Sequence, residues 1–80
     1  MVRPSKEGNM KVVAQWENYR WVNFYDEDGN TRYFASVDEA KEFIKTRHFS
    51  RPSVNIRICE YNGGRSYTEL VAPKSHKEYR

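Results

Sequence analysis

The chain has 80 residues and a mass of 9.6 kDa, room for one domain, since single domains run to ~50–200 residues. It is 38% hydrophobic and 15% aromatic, with 14 Lys+Arg against 11 Asp+Glu, a net charge of +3 and a mean hydropathy of −1.00. A helix crossing a membrane needs ~20 consecutive apolar residues and the longest apolar run here is three, while 2 Trp, 6 Tyr and 4 Phe are too many for a chain with nothing to bury.

Residues 1–10 (MVRPSKEGNM) are polar, contain Pro and Gly and show no apolar period, so they are expected to be a disordered lead. Met10 could serve as an internal start. Lys11–Glu17 (KVVAQWE) and Arg20–Tyr25 (RWVNFY) read as strands, rich in Val and aromatics. Asn18–Tyr19 between them is either a turn or a bulge. Asp26–Asn30 (DEDGN) is a hairpin loop, with Asp-Gly supplying residues that tolerate positive φ, and Thr31–Ala35 returns as a third strand. Ser36-Val-Asp-Glu39 matches a capping box, and the helix after it puts Val37, Ala40, Phe43 and Ile44 in one arc of ~120° until the pattern fades near Thr46. Pro52 marks a connection over 49–53. Val54–Glu60 (VNIRICE) alternates as a strand, Asn62-Gly63-Gly64 is a second hairpin turn, Arg65–Ala72 is the last strand, and 73–80 reads as a polar tail.

The expected organisation is therefore a lead over 1–10, one α+β domain over 11–72 and a C-terminal tail over 73–80. Its order is β-β-β-α-β-β, a mainly antiparallel sheet with one helix packed on one face. The candidate core is Val22, Phe24, Phe34, Ala40, Phe43, Ile44, Val54, Ile56, Ile58 and Leu70. One cysteine, Cys59, allows no internal disulfide, and with no apolar leader the chain reads as a soluble protein of a reducing cytoplasm.

The excess charge is placed at the ends. Residues 1–10 carry +1 and 73–80 carry +2, while 11–72 hold nine bases and nine acids. Within that body Glu17–Glu42 is acidic and Phe43–Arg65 is basic, much of which a helix explains by setting acids in its first turns and bases in its last.

If Val22 and Phe24 face the helix, alternation sends Trp21, Asn23 and Tyr25 to the other side. Tyr33, Arg57, Cys59, Tyr67 and Val71 are expected to join them. An aromatic and basic face of this kind suits a protein partner, because Trp, Tyr and Arg are enriched at interface hot spots. It also suits nucleic acid, with rings stacking on bases and Arg20, Arg32, Arg51, Arg57 and Arg65 as contacts. The third alternative is cross-strand pairing of good strand formers, closed over by a tail.

Residues 20–46, RWVNFYDEDGNTRYFASVDEAKEFIKT, resemble the AP2-type DNA-binding fold in its bacterial form, the arm-binding domain of phage-type integrases. The matching features are Trp21 opening a strand, Asp28-Gly29 at the hairpin, Phe34 before the Ser36 cap, and Glu39-Ala40 then Phe43 on the helix. The resemblance covers a third of the chain. It implies a three-stranded sheet in the major groove, a helix behind it, and Trp21, Asn23, Tyr25, Arg32 and Tyr33 as the contact positions.

Signals for chemistry are absent. Asp26-x-Asp28-x-Asn30 begins like a calcium loop, but Thr31 and Val37 stand where Gly and Glu are needed. Cys59 with His48 or His76 is too few ligands at the wrong spacing for a structural zinc, and as a thiol–imidazole pair it lacks an oxyanion hole. Gly63-Gly64-Arg65-Ser66 precedes a strand rather than a helix, unlike a phosphate loop. No catalytic residue, metal or cofactor is assigned. The expectation is a non-enzymatic binding module, monomeric or homodimeric, acting on another protein through Trp21, Asn23, Tyr25, Tyr33, Arg57 and Tyr67 or through a free sheet edge, as an adaptor or inhibitor. DNA binding by the same face, helped by the basic ends, is the alternative.

Overall fold

A computed structural model describes residues 11–49 and 53–79. The expected lead over 1–10, together with Arg51 and Pro52, lies outside the described residues. The architecture is α+β: one helix packs against a four-stranded antiparallel sheet. The strands are β1 (Val12–Glu17), β2 (Trp21–Asn23), β3 (Asn55–Gly63) and β4 (Ser66–Ser75), and the helix α1 spans Val37–Thr46. Spatial order is β2-β1-β3-β4, so the first strand sits inside the sheet and the last forms an edge.

β1 explains itself once that position is known. A strand flanked on both sides and covered on both faces reads as a continuous apolar run rather than an alternation. Val12, Val13 and Ala14 are all buried, and none of the three was in the expected core. The link to β2 is a tight turn, not a bulge: the Asn18 N–H donates to the Arg20 carbonyl at 2.8 Å, and Glu17 faces Trp21. Tyr19 at its tip has φ +66°, the left-handed region that bulky residues rarely occupy.

The expected third strand over Thr31–Ala35 does not form. Asp26–Asn30 is the hairpin loop foreseen, with the Asp26 carboxylate accepting the N–H groups of Asp28 and Asn30 at 2.9 Å each. Its arms share just one bridging pair, Tyr25 with Thr31. Phe34 then returns to bond Val12 in both directions, continuing along the edge of β1 that β2 had occupied. The chain makes an excursion from that edge instead of adding a strand outside β2.

Ser36 caps α1 as its sequence requires: its hydroxyl accepts the Glu39 N–H at 3.1 Å, and the Glu39 carboxylate reaches back to the Ala35 N–H at 2.8 Å. Asp38 and Glu39 in the first turn and Lys45 in the last complement the helix dipole. Ala40 and Ile44 are buried against Val12, Ala14, Phe34, Val54, Ile56 and Ile58. Phe24 and Phe43 pack on that cluster from the side, and Val22 is half-buried at the sheet edge.

Two expectations about β4 are corrected. Leu70 is not in the core but 39% exposed, and Val71 packs inward in its place. Ile58 faces Val71 while its neighbour Cys59 faces Glu69, so Leu70 is an extra residue with no partner. A bulge of this kind resets the alternation by one. Secondly, 73–79 is not a tail. Pro73–Ser75 complete β4, and His76–Tyr79 form a single 3-10 turn that closes the helix-side core. His76 is completely buried with Nε2 2.9 Å from the Ile44 carbonyl, and the Tyr79 hydroxyl donates to the Ile56 carbonyl at 2.7 Å. Lys74 and Lys77 are thereby charges of the folded body.

Candidate functional site

The sheet face away from α1 carries the residues singled out by alternation. β1 places Gln15 at its centre, 3% exposed, because its neighbours Asn23 and Arg57 stand directly across from it on β2 and β3. A buried amide must find partners for both its ends. Gln15 Nε2 donates to Asn23 Oδ1 at 2.8 Å, and Gln15 Oε1 accepts Arg57 Nε at 2.8 Å. Asn23 Nδ2 in turn donates to the Tyr67 hydroxyl at 3.3 Å. The Arg57 guanidinium lies over the Trp21 ring, 4.4 Å from its centroid, and 3.7 Å from the Glu69 carboxylate.

An aromatic row borders this network. Tyr67 packs on Tyr61 with centroids 5.3 Å apart, and Tyr61 on Tyr33 at 6.0 Å. Lys11 caps the row with its ammonium 5.3 Å from the Tyr33 centroid. Trp21, Arg57, Gln15, Asn23 and Tyr67 thus touch in that order, and Tyr33 joins them through Tyr61. Tyr25 lines a depression of about 220 Å3 together with Arg20, Trp21, Asn23 and Tyr67. Cys59 does not share their exposure. It lies beneath them with 0% of its surface accessible, its thiol 3.6 Å from Gln15 Oε1, and burial pushes that thiol above its usual pKa.

Gln15, Tyr61 and Glu69 complete the face and were missed. Gln15 and Tyr61 sit two residues from Val13 and Cys59 on the same strands, so period two could have found them. Glu69 could not be placed without the bulge at Leu70.

The arginines are not gathered. Arg57 is engaged by Glu69 and Gln15, and Arg20 stands at the β1–β2 turn. Arg65 lies at the opposite end of the sheet, in the β3–β4 turn. Arg32 is on the helix side, its guanidinium 5.0 Å from the Phe43 centroid, where Arg47 also stacks at 4.6 Å. Arg51 lies outside the described residues.

A larger cleft, about 480 Å3, opens on the helix side and is lined by Trp16, Phe24, Arg47, His48, Phe49 and Val54. Cys59 and His76 face opposite sides of the sheet, the thiol toward Gln15 and the imidazole toward Ile44. Among the described residues no three His, Cys, Asp or Glu side chains are grouped to hold a metal ion, and no helix is long and apolar enough to cross a membrane. No protein-family model, curated protein or solved structure matches the chain.

Proposed function

We propose that this protein is a non-enzymatic binding module that engages another protein through the sheet face opposite α1. The observation that carries this reading is the pinning of Arg57 between the Trp21 ring, Gln15 and Glu69. Side chains already ordered in the free protein lose less entropy on binding, and Trp, Tyr and Arg are the types that dominate interface energetics. The same pinning disfavours nucleic acid. A phosphate would compete with Glu69 for Arg57, while the other described arginines are spread over two ends and two faces of the sheet.

The face is favoured over the edges. β2 is only three residues long, and β4 carries Pro73 and an unpaired Leu70, devices that hinder a further strand from pairing. Adaptor and inhibitor are both roles that such a face can serve.

The test is affinity capture from native extract, with and without nuclease, using wild type, Trp21→Ala and Tyr61→Ala. The expected result is a partner retained after nuclease and lost with both variants, each shown to be folded by circular dichroism. A partner held equally by both variants, or released by nuclease, overturns the reading.

A further inference from the structure

The depression beside Trp21 has a hydrogen-bonding character that narrows the kind of partner segment it can receive. Its two side-chain amide carbonyls are both taken up internally. Gln15 Oε1 accepts from Arg57 and Asn23 Oδ1 accepts from Gln15. What remains toward solvent is rich in donors. Trp21 and Arg20 can only donate, Asn23 Nδ2 keeps one hydrogen beyond the one directed at Tyr67, and the Tyr67 hydroxyl, having accepted from Asn23, keeps its own proton. Three aromatic rings, Trp21, Tyr25 and Tyr67, line the same hollow.

At about 220 Å3 the hollow is smaller than the roughly 300–1,000 Å3 of pockets that enclose small molecules. It fits one or two residues of a longer chain lying across the surface. A donor-rich, aromatic-lined hollow suits a chain that offers carbonyls, needs no partner for its own N–H groups, and presents flat apolar rings. Proline has no N–H. A polyproline II segment has no internal hydrogen bonds, so its carbonyls all point outward, and its fixed φ lowers the entropy lost on docking. Arg20, which joins no ion pair among the described residues, adds a cation to the lining of the hollow.

We propose that the hollow formed by Trp21, Asn23, Tyr25 and Tyr67 receives a proline-rich extended segment of a partner protein, with a carboxylate flanking the prolines set against Arg20. This rests on the protein-binding reading of the same face and names its occupant. A phosphate backbone is also rich in acceptors, but Arg20 alone gives it little attraction, and the pyrrolidine ring, unlike phosphate, uses the aromatic walls.

The test titrates the full chain with three decamers by calorimetry and by 1H–15N chemical shifts. These are a proline decamer ending in Glu, the same decamer ending in Lys, and a Gly-Ser decamer ending in Glu. A thymidine decanucleotide is the fourth probe. The expected result is saturable binding of the proline peptides with shifts centred on Trp21, Asn23 and Tyr67, tighter for the Glu-ended peptide by ~3-fold at low salt. The Gly-Ser peptide is expected to bind at least ~10-fold more weakly. Asn23→Asp keeps the acceptor for Gln15 but replaces the free donor by an acceptor, so it should weaken the proline peptide ~10-fold or more in a folded protein. Trp21→Ala should do the same.

Equal binding of the proline and Gly-Ser peptides overturns the proposal. So does preference for the Lys-ended peptide, or undiminished affinity in Asn23→Asp and Trp21→Ala. If no peptide binds while a captured protein partner is still lost with Trp21→Ala, the occupant is wrong and the face reading stands. If the oligonucleotide alone shifts the Trp21, Asn23 and Tyr67 signals, both fall.

Discussion

Replacing Tyr79 tests whether the last turn belongs to the fold. Tyr79 is 7% exposed, its ring packs with Ala40, Ile44 and Ile56 on the helix side, and its hydroxyl donates to the Ile56 carbonyl at 2.7 Å. Tyr79→Phe keeps the ring and removes that one hydrogen bond, leaving a buried carbonyl short of a partner, a cost of about 1–2 kcal/mol. Tyr79→Ala also empties the ring's volume and should cost about 3–5 kcal/mol. An 80-residue domain has roughly 4–12 kcal/mol in total, so the alanine variant is expected to be close to unfolding. Urea and thermal melts followed by circular dichroism at pH 7 read both, with Tyr79→Phe lowering Tm by about 4–16 °C.

A second readout comes from alkaline pH. Burial pushes the Tyr79 phenol up to about 12 in the folded chain, against an ordinary value near 10 when unfolded. Between those values the unfolded chain has released the proton and the folded chain holds it, so stability falls as pH rises. The Tyr79→Phe variant lacks this loss, and the gap between it and wild type should narrow from pH 10 upward. If Tyr79→Phe matches wild type within ~0.3 kcal/mol at pH 7 and Tyr79→Ala costs no more, the C-terminal turn is not docked and the reasoning fails.

The bulge predicts unlike neighbours: Leu70→Ala should cost under ~0.5 kcal/mol and Val71→Ala about 1–2.5 kcal/mol in urea melts, and the reverse order would place the register shift elsewhere. Tyr19→Gly should raise stability by roughly 0.5–1 kcal/mol, because a fully exposed Tyr at φ +66° is strained and glycine is not; a loss of stability would count against that turn conformation. Cys59 should react with a disulfide reagent at least ~100-fold more slowly in the native protein than in urea, and equal rates would show that the thiol is not buried in the folded sheet.

The capped helix, the Asp26–Asn30 loop and the β3–β4 turn were legible because each depends on a few adjacent residues. Ser36 accepts the Glu39 N–H and the Glu39 carboxylate accepts the Ala35 N–H, all within five residues and without help from the rest of the chain. The candidate face was legible for a related reason: alternation from Val22 and Phe34 puts Trp21, Asn23 and Tyr33 on the opposite side whatever the strand order. Strand order itself was not. Nothing local shows that β1 is central, so the burial of Val12, Val13 and Ala14 escaped the core assignment.

The basic composition pointed to charge at the chain ends, yet Lys74 lies 4.7 Å from the Tyr79 ring centroid and Arg57 is shared among Trp21, Gln15 and Glu69. By itself the sequence determined the fold class, the helix with its cap, and which side chains alternate away from it, since those follow from spacings of two to four residues. Only the tertiary structure decided that Gln15 joins Asn23 to Arg57, that Leu70 yields its place to Val71, and that the polar C-terminus folds back over the core. These depend on pairing between segments that no local period specifies, up to 42 residues apart for Gln15 and Arg57.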